Sequence, residues 1–539
     1  LISHTFFLLI WPLDRALQKG GKTKIKNETL GGWLRLAGER GRATLAGMIR
    51  LLLVLVLASP LAAAPSPPAP APDMAAHLID CNRAQLVMMA EARLLPPAQI
   101  KRLAGALRAA AAAWDTPGAP RSSNALDLEQ RMAELAGPEV SDLHLGRSRN
   151  DLGETMNRMA LRGFLLGHVD RITAVRAELH RLAAAHTGTV MPGYTHAVQA
   201  QPTTLAHMLL ASDAALARDT QRLRQIYART NRSPLGSGAF TTSGFRLDRT
   251  RLARLLGFEG LVENSYDAIM VAAADSKVEY AAALGLSALQ IGRLAQSILF
   301  QYSDPEPGLL LAAGLATRSS SMPQKRNPSA IERLRLAASE VMANAHASAL
   351  FAHNTPLYEV KDVREDHMLR LERFAAEADG MYDRLLQVLA SLVVVPERLR
   401  GQVDEDYSTM TELAEMLRRE AGVPFRTGHQ VASELSAWGR EQGKRPRDLS
   451  HAEVARIYHQ VTGQELPLDE AQVRRAFDPA AVVAGRAGTG GPQPAETRRM
   501  LAAQQADAAA ASSWVRGERK RLDTAAAALR AKAEALVGN

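Results

Sequence analysis

The chain has 539 residues, enough for more than one domain and a large buried core. Leu and Ala dominate, aromatics make up 5% and β-branched runs are few, which favours an all-helical protein over a sheet-based one. The formal charge of +9 is concentrated in residues 1–50, where nine Lys/Arg face three Asp/Glu; no basic stripe with interleaved aromatics argues for nucleic acid, and the single Cys81 excludes an intramolecular disulfide or a multi-cysteine metal site.

The first 73 residues do not read as a folded domain. Met48-Ile-Arg-Leu-Leu-Leu-Val-Leu-Val-Leu-Ala58 combines a methionine, a positive charge and a short apolar run, and Ala62-Ala-Ala64 supplies small residues suited to cleavage. This is a secretory signal pattern over 48–64, too short for a membrane span, and it implies a periplasmic or secreted protein with no stable span after processing. A cytoplasmic location is the alternative. Residues 1–47, which start with Leu1, read as an upstream extension foreign to the native protein, and 65–73 as a Pro/Ala linker.

The helical body follows. Residues 78–113 suggest two helices broken at Leu95-Pro-Pro97, and 117–123 a polar loop. His144-Leu-Gly-Arg-Ser-Arg-Asn-Asp151 then places Ser148, Arg149 and Asn150 at a helix start, where guanidinium forks and free backbone N–H groups suit carboxylates. Apolar residues at Ile172, Val175, Leu179 and Leu182 mark a bundle helix over 171–186. Met191-Pro-Gly-Tyr-Thr-His-Ala-Val-Gln-Ala-Gln-Pro202 reads as a loop carrying Thr195, His196 and Gln199. A long helix over 205–229 leads to the glycine turn Ser233-Pro-Leu-Gly-Ser-Gly-Ala239, and Asn264-Ser-Tyr-Asp-Ala268 opens an Ala-rich helix to about Tyr302.

Thr317-Arg-Ser-Ser-Ser-Met-Pro-Gln-Lys-Arg-Asn-Pro328 is the most distinctive stretch. Serines crowd one end, prolines stiffen the other, and Lys325 and Asn327 stand between them. Such a loop can bind a carboxylate and close over it. A helix over 331–351 starts with Glu332 near its beginning, and Tyr358-Glu-Val-Lys-Asp-Val-Arg-Glu-Asp366 follows it, carrying Lys361 and Arg364. From about Val395 the chain is more polar, with Gly422-Val-Pro-Phe-Arg-Thr-Gly-His429 and a glycine-rich Gly488-Thr-Gly-Gly491 before the last helix. Without a preceding strand that glycine run is no phosphate loop.

These strings, in order over about 75–539, resemble the argininosuccinate lyases of the fumarase/aspartase superfamily. Leu145, Val198 and Arg364 replace the family's threonine, glutamine and glutamine, Arg318 replaces a glycine, and Glu359 falls where the family has a tyrosine. The resemblance implies three helical domains, over 74–146, 147–397 and 398–539, with the central long-helix bundle forming the core of a homotetramer whose active sites are shared between subunits. It implies β-elimination of fumarate from an N-substituted aspartate, argininosuccinate by default in arginine biosynthesis, without metal or organic cofactor. Ser319 maps to the general base and His196 with Glu332 to the pair acting on the leaving nitrogen. Lys325 and Asn327 bind one carboxylate and Arg149 and Asn150 the other; Ser148, Thr195, Lys361 and Arg364 complete the substrate contacts. Two alternatives stand beside it: a lyase for another N-succinyl amine or aminopolycarboxylate, and a non-catalytic crystallin-like scaffold.

Overall fold

The computed structural model describes residues 72–116, 118–360 and 365–538. The expected upstream extension, export signal and most of the linker lie outside these residues, as do Lys361 and Arg364.

Helices dominate, as the Leu- and Ala-rich composition requires. Helices α1 (Met74–Glu91) and α2 (Pro97–Trp114) flank the Leu95-Pro-Pro97 break, and Pro97 takes the first position of α2, where a missing N–H costs nothing. After α3 (Ala125–Ala136), α4 (Arg149–Ala185) runs for 37 residues, well beyond the 171–186 stretch expected. Its apolar stripe is masked in the sequence because Arg158, Arg162, His168, Arg171 and Arg176 also lie on buried faces. Each of these charges answers to a partner distant in the chain or one turn away. Glu154 takes Arg158 at 3.2 Å and Lys277 at 3.1 Å, and Asp213 takes Arg176 at 2.8 Å and His180 at 3.1 Å.

Helices α5 (Leu205–Thr230), α6 (Arg249–Leu255), α7 (Ala272–Phe300), α8 (Ser329–Ala352) and α9 (Glu365–Ala390) follow. Of these, α5, α7, α8 and α9 join α4 around one apolar core containing Leu165, Ile172, Leu209, Leu284, Ile331 and Leu385. A π-helical turn, Asp267–Val271, precedes α7. The axes of α7 and α8 approach closely: a Cβ added at Gly285 would lie 2.8 Å from that of Ala345. The stretch Asp267–Ser303 is long and apolar enough to cross a membrane, yet half of its most apolar window is buried within the protein. Tyr280, Leu284 and Ile298 are fully buried in the bundle, so this is a core helix.

Shorter helices α10 (Pro396–Asp404), α11 (Met410–Ala421), α12 (Phe425–Glu441), α13 (His451–Thr462), α14 (Glu470–Phe477) and α15 (Pro479–Ala484) come next, and α11–α14 enclose a separate apolar cluster around Leu413, Val431 and Ile457. The last helix, α16 (Pro494–Gly538), runs 45 residues back along the molecule. Its Val515 enters the bundle core, and Leu529 and Ala533 enter the cluster formed by α1–α3 and the start of α4.

The strands are short and paired in twos: β1 (Val190–Thr195) with β2 (Val198–Thr204), β3 (Arg232–Ser233) with β4 (Gly260–Leu261), β5 (Leu309–Leu311) with β8 (Leu392–Val394), and β6 (Thr317–Arg318) with β7 (Arg326–Asn327). The class remains all-α. Two segments expected as loops, 191–202 and 317–328, are instead antiparallel hairpins.

Candidate active site

The start of α4 is built by a capping box. Ser148 accepts from the Asn150 N–H at 3.2 Å, and Asp151 reaches back to the Ser148 N–H at 2.9 Å. The second Asp151 oxygen accepts from the N–H groups of Gly236 at 2.8 Å and Gly238 at 3.1 Å. Both glycines have positive φ, and a Cβ on Gly238 would lie 2.8 Å from the Thr242 carbonyl oxygen, so only glycine lets this turn close on the carboxylate. Burial pushes Asp151 up to about 6 against these hydrogen bonds. Arg147 is tied to Asn82 of α1 at 2.8 Å, which fixes the approach to the helix. Asn150 is nearly buried, and its side-chain N–H donates to Glu359 at 2.7 Å.

His196 and Ala197 form the two-residue turn between β1 and β2, with φ of 53° and 61°. A turn with both central residues left-handed matches strand twist and normally takes Asn-Gly, so this one carries strain of about 1–2 kcal/mol per residue. The turn holds His196 and Thr195 exposed at the hairpin tip. Gln199 ties the hairpin to the end of α10 and the turn after it by donating to the Val403 carbonyl at 3.3 Å and the Ser408 hydroxyl at 3.1 Å.

In the signature hairpin Thr317 pairs with Asn327 and Arg318 with Arg326. The apex folds back on itself. Ser319 Oγ accepts from the N–H groups of Ser321 at 3.3 Å and Met322 at 3.1 Å, while the Lys325 N–H donates to the Met322 carbonyl at 3.1 Å. Two amide donors on one hydroxyl oxygen favour its ionised form. Lys325 is exposed, Asn327 half-buried at the hairpin's foot, and Glu332 exposed in the first turn of α8. Among the described residues, the side chains of His196, Ser319, Lys325 and Glu332 make no hydrogen bond to one another within one chain. Of the expected substrate contacts among the described residues, only Asn150 is linked to another motif, through Glu359.

Sequence reasoning passed over two functional features. Asp151 anchors the turn that opens α4; its signal was the Ser-x-x-Asp spacing of a capping box. The Asn150–Glu359 bond spans 209 residues and left no local trace. Among the described residues no group of three or more His, Cys, Asp or Glu could hold a metal ion.

Comparison with known proteins identifies the relatives of this chain. A family profile described as lyase matches residues 120–343, and one described as argininosuccinate lyase C-terminal matches residues 407–484. The argininosuccinate lyase of Methanosarcina acetivorans is 36% identical over 71% of this chain and 77% of its own length. That of Methanothrix thermoacetophila is 34% identical over 82% of this chain and 90% of its own. A crystal structure of EDDS lyase in complex with formate superposes with a TM-score of 0.78 at 28% identity, covering 86% of this chain and 92% of that one.

Proposed function

The chain belongs to the argininosuccinate lyase family, and we propose that it catalyses β-elimination of fumarate from an N-substituted aspartate, with argininosuccinate as the family's default substrate. The observation that carries this reading is the Ser319 hydroxyl, whose oxygen receives two backbone N–H donors in a hairpin that also presents Lys325 and Asn327.

The proton to be removed lies next to a carboxylate and is weakly acidic, so catalysis must stabilise the charge that develops as it leaves. Ionised Ser319 takes this proton. Its two amide donors and the Lys325 ammonium supply the field that makes a serine alkoxide accessible. Electron density moves into the carboxylate held by Lys325 and Asn327, then collapses to form the C=C bond as the C–N bond breaks. The leaving nitrogen is protonated from the His196 side, directly or through water, with Glu332 holding the imidazolium. Ser148, Asn150, Arg149 and Thr195 fix the substrate's other polar groups, and Lys361 and Arg364 are assigned as further substrate contacts from the sequence motif alone.

Among the described residues, the absence of hydrogen bonds joining the side chains of His196, Ser319, Lys325 and Glu332 within one chain supports active sites shared between subunits of a homotetramer. Exposed Leu286 and Leu289 on α7, and Leu336 and Leu350 on α8, give these helices an apolar outer face suited to such packing. The segment 48–64 supports export to the periplasm or beyond, which the mass of the mature N-terminus would test.

Purified protein mixed with argininosuccinate should raise ultraviolet absorbance as fumarate forms. No fumarate from any N-succinyl amine would leave a scaffold protein. A second reading, an aminopolycarboxylate lyase, is favoured by Arg364 and by the likeness to EDDS lyase. Kinetics on both substrate types, with Arg364→Gln, separate it from the first.

A further inference from the structure

We propose that the cavity bounded by α1, α4, the end of α6 and α16 binds a small apolar monocarboxylate, whose charge is taken by the buried Arg162 guanidinium. The cavity has a volume of about 510 Å³, within the ~300–1,000 Å³ range of small-molecule sites. Met159, Phe164, Leu255, Leu522 and Leu529 give it largely apolar walls. None of its lining residues belongs to the motifs assigned to the lyase reaction. Arg162 stands twelve residues beyond Asn150 on the continuous helix α4, about 18 Å along its axis.

Arg162 is the exception among the buried cations. Taking a charge out of water is expensive, so interior charges are normally paired. Of the four arginines buried among the described residues, three meet a carboxylate: Arg158 meets Glu154 at 3.2 Å, Arg171 meets Asp379 at 3.2 Å and Arg176 meets Asp213 at 2.8 Å. Arg162, only 4% exposed, forms no such pair. Its terminal nitrogens donate to the Asn231 side-chain oxygen at 3.1 Å and to the carbonyls of Leu256 at 3.3 Å and Gly257 at 3.2 Å, and its face lies 4.1 Å from the Phe258 ring centre. The Gly257 carbonyl is shared with Arg521, which donates to it at 2.6 Å, and Arg162 Nε has no acceptor. Neutral dipoles and one ring are all that offset the full positive charge. A ligand carboxylate would supply the missing counter-charge.

The other charges that line the cavity decide what kind of anion fits. Burial brings Arg162 down to about 10, which leaves it charged at neutral pH. Its field reaches His77 of α1, which burial first and Arg162 second lower to about 4, so that the imidazole is neutral and adds no charge. Asp73 pairs with Arg121 at 2.7 Å, Asp80 with Arg83 at 2.9 Å, and Arg519 with Asp170 at 2.5 Å, while Asp523 is exposed to water. One carboxylate can therefore meet Arg162 with its carbon chain against Met159, Phe164 and Leu522. A second carboxylate would share the cavity with Asp73, Asp80 and Asp523, and like charge would oppose it. Fumarate, a dicarboxylate without an apolar tail, is excluded on both counts.

The test uses the full-length protein and hexanoate as the probe, followed by calorimetry and thermal unfolding. Hexanoate should bind and raise the unfolding temperature, because a ligand of the folded state stabilises it. Hexanamide keeps the apolar chain without the charge and should bind about tenfold more weakly or worse, the worth of a charge-assisted contact. Adipate, with a carboxylate at each end, should also bind more weakly than hexanoate. Saturating fumarate should leave hexanoate binding unchanged, which separates this cavity from the proposed lyase site. Arg162→Met removes the cation but also the bonds to Asn231, Leu256 and Gly257, and so risks unfolding the protein. Ala526→Phe narrows the cavity from α16 and leaves those bonds in place; it should unfold near the wild-type temperature and lose hexanoate binding. Equal binding of hexanoate and hexanamide, competition by fumarate, full hexanoate affinity in Ala526→Phe, or no hexanoate binding to the wild type would each overturn the assignment.

Discussion

Ser319 and His367 show how single side chains take their chemistry from what surrounds them. Ser319→Ala removes one hydroxyl from a hairpin apex whose residues 320–326 are exposed, so folding and assembly should be unaffected while turnover is lost. Thermal unfolding within a degree or two of wild type, with no fumarate release, is the expected result; near-normal activity would move the base assignment to His196. His367 is buried against the Ser348 hydroxyl at 2.6 Å, and burial first, then Lys277 and Arg370, lowers its pKa to about 4. The unfolded chain takes up a proton near 6.5 that the folded protein refuses until about 4, so stability is lost as pH falls across that window. Asp151, raised to about 6, works in the opposite sense there, so the informative quantity is the difference between wild type and His367→Asn. Denaturant titrations should show a shallower pH dependence in the variant, by an amount of order 1–3 kcal/mol between pH 6.5 and 4.

At the scale of elements, the β1–β2 hairpin trades stability for position. Its turn places two non-glycine residues in the left-handed region so that His196 stands at the tip. Relaxing only the second position tests this. Ala197→Gly should stabilise the protein by about 0.5–1 kcal/mol, since relief of strain exceeds the entropy that glycine adds to the unfolded chain. Activity should hold or fall slightly as the imidazole gains freedom; a destabilised variant would mean the turn is not strained. The signature hairpin is different. Its strands are two residues long and exposed, so it is held by few bonds and can open and close at little cost.

At the scale of the whole molecule, the bundle leaves apolar side chains in water that a monomer has no reason to keep. Leu350 on α8 is 70% exposed and Leu336 58% exposed, on the same helix that carries Glu332 in its first turn. On the shared-site proposal, light scattering at micromolar protein should give four times the mass of one chain. Leu336→Glu together with Leu350→Glu should lower that mass and abolish activity together if, as proposed, the site is shared between copies. A fully active monomer would refute shared sites.

Much of this was legible in the sequence because it is written in neighbouring residues. Helix content follows from composition, the Pro97 break from one residue's missing N–H, and the α4 start from the Ser148-Arg-Asn150 run. The segments bearing Ser319, His196 and Asn150 were marked by their own residue types. Their local shape was not. Hairpins as short as β6–β7 leave too few residues to show alternation, and Pro192 and Pro202 disguise β1 and β2. The first half of α4 was missed because its buried face carries charges, whose compensation by Lys277, Asp213 and their like comes from other helices. Which face Arg149 presents, and that it shares a cleft with Glu372, depended on where α9 packs. Local sequence sets backbone preference and the kind of chemistry each residue offers; only packing brings distant charges within reach of one another, since electrostatic pairing depends on separation in space and not along the chain.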